Sequence, residues 1–126
     1  MSESLLGVVV AHGGLAAALV DAVRRITGES EGLIPVSNTD CGRDDLSRQI
    51  AKAAGDRPAL VFVDMPSGSC FQASAACLRE RSNVAIVAGV NLAMLLDFFY
   101  HRDLTPEAAA ERAIATGERA IRIWGR

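Results

Sequence analysis

The sequence predicts an α/β fold, a doubly wound and mainly parallel four-stranded sheet in the order 2-1-3-4 with helices on both faces. Short runs of apolar, often β-branched residues recur four times, and a longer amphipathic segment separates each run from the next. This alternation implies parallel strands, because a crossover helix returns the chain to the same end of the sheet. The 126 residues fit one core, since domains usually contain about 100–200 residues. We therefore expect a single domain over residues 1–126.

The apolar runs are predicted to be strands, and each has its own indication. The predicted strands cover residues 6–11, 33–37, 59–63 and 84–88. The first run is continuously apolar, which is typical of a strand buried on both faces. The second contains Pro35, which indicates the edge of a sheet. The third ends at Asp64, and the fourth ends at Gly89.

The predicted helices are marked by apolar periodicity and by residues that begin or end helices. They cover residues 15–26, 44–54, 71–78, 91–100 and 105–116. The apolar stripe of the first helix comprises Leu15, Leu19, Val23 and Ile26. Gly28 is expected to end this helix, and Ser69 occupies the N-cap position of the third. The last helix starts at Thr105-Pro106-Glu107 and is expected to end at Gly117. Residues 120–124 fit either a strand or a continued helix, and we favour a strand.

Composition argues against several classes of function. The 13 basic and 15 acidic residues give a formal net charge of −2, and the sequence has neither the basic patch nor the aromatic platform of a nucleic-acid-binding protein. No apolar run reaches the roughly 18 residues that a membrane span requires. The chain has three cysteines without CxxC spacing and an acidic start in place of a signal peptide. These features favour reduced thiols and a cytoplasmic location.

Two loops of the predicted sheet carry residues suited to catalysis. In an open parallel sheet, ligands bind beyond the carboxyl ends of the strands, where the strand order reverses. In the order 2-1-3-4 this crevice lies between the loops after the first and third strands, so that His12 and Asp64 are expected to face each other. A carboxylate that accepts one ring N–H fixes the tautomer and leaves the other nitrogen as a nucleophile.

The same loops offer groups that can bind a phosphoryl group. The turn Ser67-Gly68-Ser69 leads into a helix, so its amides and hydroxyls can hold an anion, and glycine after His12 allows the backbone to approach that anion closely. The candidate phosphate-binding residues are Gly13, Met65, Ser67, Gly68 and Ser69. Each signal alone has an ordinary explanation as a turn residue or a cap. Their joint placement at one crevice favours a functional site.

Several segments carry a resemblance to a known family. They are Val9-Val10-Ala11-His12-Gly13, Phe62-Val63-Asp64 with Gly68-Ser69, Gly89-Val90-Asn91-Leu92-Ala93-Met94-Leu95, and Thr116-Gly117. Together they resemble enzyme IIA of the mannose family of the bacterial sugar phosphotransferase system. The resemblance covers nearly the whole chain, and the segment with Gly-Val-Asn and Met-Leu is its most specific part. The family commonly has a hydroxyl residue where this chain has Met65, and a proline where it has Ala93.

The resemblance implies a function and a set of partners. It implies that Nε2 of His12 accepts phosphate from the phosphorylated carrier HPr and passes it to an enzyme IIB, with Asp64 bonded to the other ring nitrogen. Such a transfer needs positioning and hydrogen-bond donors, so neither a metal ion nor an organic cofactor is expected. The resemblance also implies a homodimer that exchanges an antiparallel C-terminal strand, here residues 120–124. Contact with the membrane is expected only indirectly, through permease subunits.

Three other interpretations remain open at this level. A receiver-type regulator would be phosphorylated on Asp64, but it would also need acids after the first strand for Mg²⁺ and a lysine late in the chain, whereas Lys52 is the only lysine. The phosphocarrier subunit of dihydroxyacetone kinase shares the implied fold and the early histidine, although residues 89–95 favour the mannose family. A regulatory module, whose phosphorylation state controls a partner without sugar transport, is the third.

Overall fold

One four-stranded sheet forms the centre of the computed structural model, which describes residues 4–125. The strands are β1 (Leu6–Ala11), β2 (Leu33–Ser37), β3 (Ala59–Val63) and β4 (Val84–Ala88). Their order is β2-β1-β3-β4, and all neighbours are parallel, which confirms the predicted topology. Pro35 lies in an edge strand, as predicted. Residues 1–3, which form the acidic start of the predicted domain, and residue 126 lie outside the described residues.

The two central strands are buried on both faces because helices cover the sheet on either side. Side chains alternate along β1, so that Val9 joins the core on one face while Val8 and Val10 join the core on the other. Phe62 of β3 packs edge-on against Phe98, with ring centroids 5.4 Å apart. Gly7 gives Phe98 room to lie on the sheet, since a Cβ at position 7 would be 2.6 Å from the Phe98 ring.

Five helices lie on the sheet in the described part of the chain. They are α1 (Leu15–Thr27), α2 (Arg43–Ala54), α3 (Ser69–Leu78), α4 (Leu92–Phe99) and α5 (Pro106–Arg119). Helices α1, α4 and α5 pack on one face, and α2 and α3 pack on the other. This confirms the predicted placement of helices on both faces. Among residues 4–125, no helix combines the length and the apolar character needed to cross a membrane.

Local sequence signals account for several helix ends. Gly28 ends α1 with φ +96°, a left-handed conformation that favours glycine. The side chain of Asn91 accepts a hydrogen bond from the backbone N–H of Met94 at the start of α4. Thr105 does the same for Ala108 at the start of α5, as its predicted capping role requires.

The apolar stripe predicted for α1 is wrong in part. Of the predicted stripe, Val23 is buried, but Leu15 and Ile26 are 44% and 59% exposed. Ala16 and Val20 are buried instead. Because α1 carries apolar residues on more than one side, periodicity alone does not distinguish two neighbouring stripes.

Gly117 lies inside α5 instead of ending it, which corrects the predicted boundary. Helix α5 continues to Arg119. A Cβ at position 117 would be 2.6 Å from the Met94 side chain, and the Gly117 carbonyl accepts a hydrogen bond from Asn91 Nδ2 at 3.2 Å. Gly117 therefore allows α4 and α5 to pack closely. Its presence reflects helix packing and does not mark a helix end.

The strand predicted for residues 120–124 is absent from this single chain. Residues 121–125 follow α5 and lie in no helix or strand. The side chains of Ile121, Ile123 and Trp124 are 77%, 73% and 97% exposed. A strand exchanged between subunits makes its ladder hydrogen bonds to a second chain, so a single chain leaves such a segment unpaired.

Candidate functional site

His12 and Asp64 meet at the carboxyl edge of the sheet. Each residue directly follows one of the two central strands, β1 and β3, which are parallel neighbours. Nδ1 of His12 lies 2.7 Å from Oδ2 of Asp64. The backbone N–H of His12 donates a second hydrogen bond to the same oxygen at 2.9 Å. The strand ends thus place the two side chains in direct contact.

The charge of Asp64 determines which ring nitrogen carries the proton. Burial raises the pKa of the Asp64 carboxyl, but the hydrogen bonds from His12 outweigh burial and hold this pKa below its ordinary value. The carboxylate is therefore ionised at neutral pH and can only accept. Nδ1 of the neutral imidazole must then carry the hydrogen, which leaves a free lone pair on Nε2.

The ring edge with Cε1 and Nε2 faces Gly68 in the loop before α3, and the His12 side chain is partly exposed. The His12 side chain is 43% exposed, whereas that of Asp64 is 11% exposed. Gly68 lies beside the ring, since a Cβ at this position would be 3.7 Å from His12 Cε1 and 3.9 Å from Nε2. Gly68 has φ +91° and is the N-cap of α3, where no side chain caps the helix. Ser69, predicted as this cap, is instead the first residue of the helix.

Two polar residues at the end of β2 connect the loops around His12. The Asn38 side chain accepts a hydrogen bond from the backbone N–H of Gly13 at 3.1 Å, and its Nδ2 donates to Ser69 Oγ at 3.3 Å. Ser37 Oγ donates to the Gly13 carbonyl at 2.6 Å. Asn38 therefore joins the loop after β1 to the first residue of α3, on either side of the imidazole.

Cys70 lies on the Nδ1 side of the ring. Its side chain is buried, and Sγ is 3.7 Å from Nδ1 of His12. Burial raises the pKa of the Cys70 thiol, and the negative charge of Asp64 raises it further. The thiol is therefore protonated at neutral pH. Among residues 4–125, the atoms of His12, Asp64 and Cys70 form a group of possible metal ligands within 4.8 Å of one another.

The structure brings together most of the residues that the sequence singled out. His12 and Asp64 are in contact, Gly13 and Gly68 lie in the loops near the ring, and Ser69 is the first residue of α3. Met65 and Ser67 are exposed in the loop between Asp64 and α3.

Comparison with known protein families identifies the chain. The family model EIIA-man, described as PTS system fructose IIA component, matches residues 7–115. The chain belongs to the EIIA-man family. The resemblance to enzyme IIA of the mannose family is thereby confirmed.

Curated relatives agree with this assignment. The EIIA-man chain is 26% identical over 122 residues to the mannose-specific EIIAB component of the phosphotransferase system from Escherichia coli strain K12. The corresponding component from Shigella flexneri shows the same identity over the same length. In both cases the alignment covers 91% of this chain and 38% of the relative. The chain thus spans well under half the length of these relatives.

Solved structures share the fold of the EIIA-man chain. The phosphotransferase system component EIIA from Streptococcus agalactiae matches with a TM-score of 0.89 at 20% identity, covering 95% of this chain and 97% of that one. The mannose/sorbose specific IIA subunit from Enterococcus faecalis matches with a TM-score of 0.85 at 21% identity, covering 98% and 97%.

Sequence reasoning missed two residues at the site of this EIIA-man chain. Ser37 and Asn38 follow the edge strand β2, at the same end of the sheet as His12. The predicted topology contained this information, because all carboxyl ends of parallel strands share one edge. His101, the other histidine, lies after α4, and its Nδ1 contacts the Asp97 carbonyl at 2.7 Å.

Proposed function

We propose that this chain carries a phosphoryl group on Nε2 of His12, receiving it from phosphorylated HPr and passing it to an enzyme IIB. The observation that supports this most is the double hydrogen bond from His12 to one oxygen of Asp64. It fixes the partly exposed ring and leaves Nε2 as the free nucleophile. In this proposal residues 1–126 act as a single IIA domain in the cytoplasm.

The transfer exchanges one nitrogen–phosphorus bond for another. The Nε2 lone pair attacks the phosphorus of the donor phosphohistidine, the donor N–P bond breaks, and its electrons return to the donor imidazole. The ring of His12 gains positive charge as the new bond forms, and the adjacent Asp64 carboxylate stabilises that charge. Because the two bonds are chemically alike, the step runs close to equilibrium and depends mainly on in-line positioning.

The loops after β1 and β3 and the first residue of α3 supply the proposed phosphoryl-binding groups. The candidate residues are Gly13, Met65, Ser67, Gly68 and Ser69. Gly68 lies next to Nε2, and the uncapped start of α3 offers backbone N–H groups to an anion there. Met65 has no side-chain donor, so its contribution would come from its backbone. The site needs no metal ion or organic cofactor for this step.

The partners follow from the proposed reaction. HPr is the phosphoryl donor and an enzyme IIB is the acceptor, while contact with the membrane occurs only through permease subunits. The exposed apolar side chains of Ile121, Ile123 and Trp124 support a homodimer formed through the C-terminal segment, since exposed apolar residues grouped together are typical of an interaction surface. A regulatory role without sugar transport uses the same phosphorylation step and differs only in the partner.

The environment of Asp64 argues against a phosphoaspartate regulator. Oδ2 is held by two hydrogen bonds from His12, and Oδ1 is buried. Burial therefore closes Oδ1 to an incoming phosphoryl group, and the contacts with His12 already occupy Oδ2. His12, with its exposed ring, is the better acceptor.

Transfer from purified phospho-HPr tests the proposal. Radiolabelled phospho-HPr is mixed with the wild-type chain, with His12→Ala, and with His101→Ala as a matched control at the other histidine. We expect wild type and His101→Ala to take up label, and His12→Ala to take up none while keeping its circular dichroism spectrum. Normal labelling of a folded His12→Ala protein contradicts the proposal.

A further inference from the structure

Asp64 and Cys70 both lie near Nδ1 of His12. The proposed phosphoryl transfer uses one oxygen of Asp64 and does not use the Cys70 thiol. Cys70 Sγ lies 3.7 Å from Nδ1, on the same side of the ring as the Asp64 carboxylate. Oδ1 of Asp64 is buried and has no hydrogen-bond partner among residues 4–125. An imidazole nitrogen, a thiol and a carboxylate with spare acceptor capacity are thus gathered within 4.8 Å.

This donor set matches a thiophilic divalent cation better than a hard one. Imidazole and thiolate together favour Zn²⁺, whereas Mg²⁺ and Ca²⁺ prefer oxygen ligands. In a tetrahedral site, Zn–N bonds of about 2.0 Å and Zn–S bonds of about 2.3 Å put the nitrogen and sulfur roughly 3.5 Å apart. The observed separation of Nδ1 and Sγ is 3.7 Å. Asp64 Oδ2, at 2.7 Å from Nδ1, must move outward to admit the ion.

We propose that His12, Asp64 and Cys70 form a binding site for Zn²⁺ that inhibits phosphoryl transfer. The ion takes the place of the hydrogen between Nδ1 and Asp64, bound by Nδ1, one Asp64 oxygen, the Cys70 sulfur and a water molecule. Cys70 loses its proton to solvent, while the neutral imidazole keeps one hydrogen. One proton is released for each bound ion, and the carboxylate and thiolate balance the charge of the ion.

Inhibition follows from the tautomer of the imidazole. In the metal-free protein the hydrogen is on Nδ1 and Nε2 has the free lone pair. Once Nδ1 binds the ion, the hydrogen of the neutral ring must be on Nε2. Nε2 then has no lone pair for attack on phosphorus. The inhibitory effect rests on the proposed function of His12, whereas ion binding itself does not.

Binding is tested with Co²⁺, a spectroscopic substitute for Zn²⁺. We expect the wild-type chain to show a thiolate-to-cobalt charge-transfer band that added Zn²⁺ removes. Cys77→Ser, which changes a half-buried cysteine on the same helix, is the matched control and keeps the band. Cys70→Ser and Cys70→Ala lose it. Absence of the band in wild type, or its persistence in both Cys70 variants, overturns the proposal. This readout does not depend on whether His12 is phosphorylated.

Inhibition is tested in a single transfer step from purified phospho-HPr, with and without Zn²⁺. Each protein is compared with its own rate in the presence of a chelator, so that differences in the metal-free rate do not matter. We expect inhibition of Cys70→Ser to require at least about tenfold more Zn²⁺ than inhibition of wild type. Even loss of a residue that only hydrogen-bonds to a metal ligand costs roughly 10- to 100-fold in metal affinity. Equal sensitivity of wild type, Cys70→Ser and Cys77→Ser overturns the proposal.

Discussion

Oδ2 of Asp64 accepts two hydrogen bonds from His12, one from the backbone N–H at 2.9 Å and one from Nδ1 at 2.7 Å. The backbone bond fixes the position of the carboxylate relative to β1, and the side-chain bond fixes the imidazole relative to the carboxylate. One oxygen thereby determines the ring's position, its orientation and its tautomer. Nε2 is consequently the nitrogen that is directed towards Gly68 and solvent.

Replacing Asp64 tests the positioning role of its carboxylate. Asp64→Ala removes both hydrogen bonds and frees the ring, so we expect a folded protein that accepts phosphate slowly. The rate should fall roughly 10²-fold or more, because a misplacement of about 1 Å can cost that much. Quenched-flow labelling by phospho-HPr measures it. A rate within twofold of wild type would show that Asp64 does not orient His12.

Replacing Gly68 tests the space beside Nε2. Alanine is strained at φ +91° and ψ −176°, a conformation that costs other residues about 1–3 kcal/mol. Its methyl group would also lie against the Nε2 edge of His12. We expect Gly68→Ala to be destabilised and to accept phosphate slowly. Gly14→Ala is the control, because Gly14 has φ −92° and nothing lies within 4 Å of a Cβ there. Equal labelling rates for the two variants would exclude a phosphoryl group beside Gly68.

Replacing Asn38 tests the connection between the two loops. Asn38→Ala leaves the Gly13 N–H and the Ser69 hydroxyl without their partner. Two hydrogen bonds of about 1 kcal/mol each correspond to a loss of roughly tenfold or more in rate. Asn83→Ala is the control, since Asn83 also makes two side-chain hydrogen bonds. Asn83 directly precedes β4, at the amino ends of the strands and away from the site. Equal labelling rates for Asn38→Ala and Asn83→Ala would show that the connection through Asn38 does not position His12.

Replacing Gly7 tests the packing of α4 on the sheet, near the amino end of β1 and away from the site. A Cβ at this position would lie 2.6 Å from the Phe98 ring and 2.7 Å from Leu33. Overpacking of this kind costs about 1–3 kcal/mol, so urea denaturation of Gly7→Ala should show a free energy of unfolding lower by that amount. In a double-mutant cycle, Gly7→Ala should lower the free energy of unfolding by less in a Phe98→Leu background than in wild type. Additive effects of the two substitutions would argue against direct contact.

The sequence predicted the sheet order and the meeting of His12 and Asp64 because both follow from chain topology. Parallel strands end at one edge, and the central strands β1 and β3 are neighbours. The contribution of Asn38 needed coordinates, since a single asparagine after a strand looks like any turn residue. Gly117 was misread for a similar reason. A glycine near a helix end has the same sequence pattern whether it ends the helix or admits a neighbouring side chain, here that of Met94.

The C-terminal segment was predicted to be a strand, but it forms none in the single chain. Its loose alternation favoured a strand, but strand pairing depends on a partner that local sequence does not contain. In the single chain, residues 121–125 have no such partner and Trp124 is 97% exposed.

The most direct test of the account is to determine which atom carries the phosphate. The chain, labelled with ¹⁵N, is incubated with phosphoenolpyruvate, enzyme I and HPr, and the phosphorylated nitrogen is identified by NMR from its coupling to phosphorus. We predict a single phosphoryl group on Nε2 of His12, labile to acid and stable to alkali. Phosphate on Nδ1 of His12, on His101, or as an alkali-labile group on Asp64 would contradict the account.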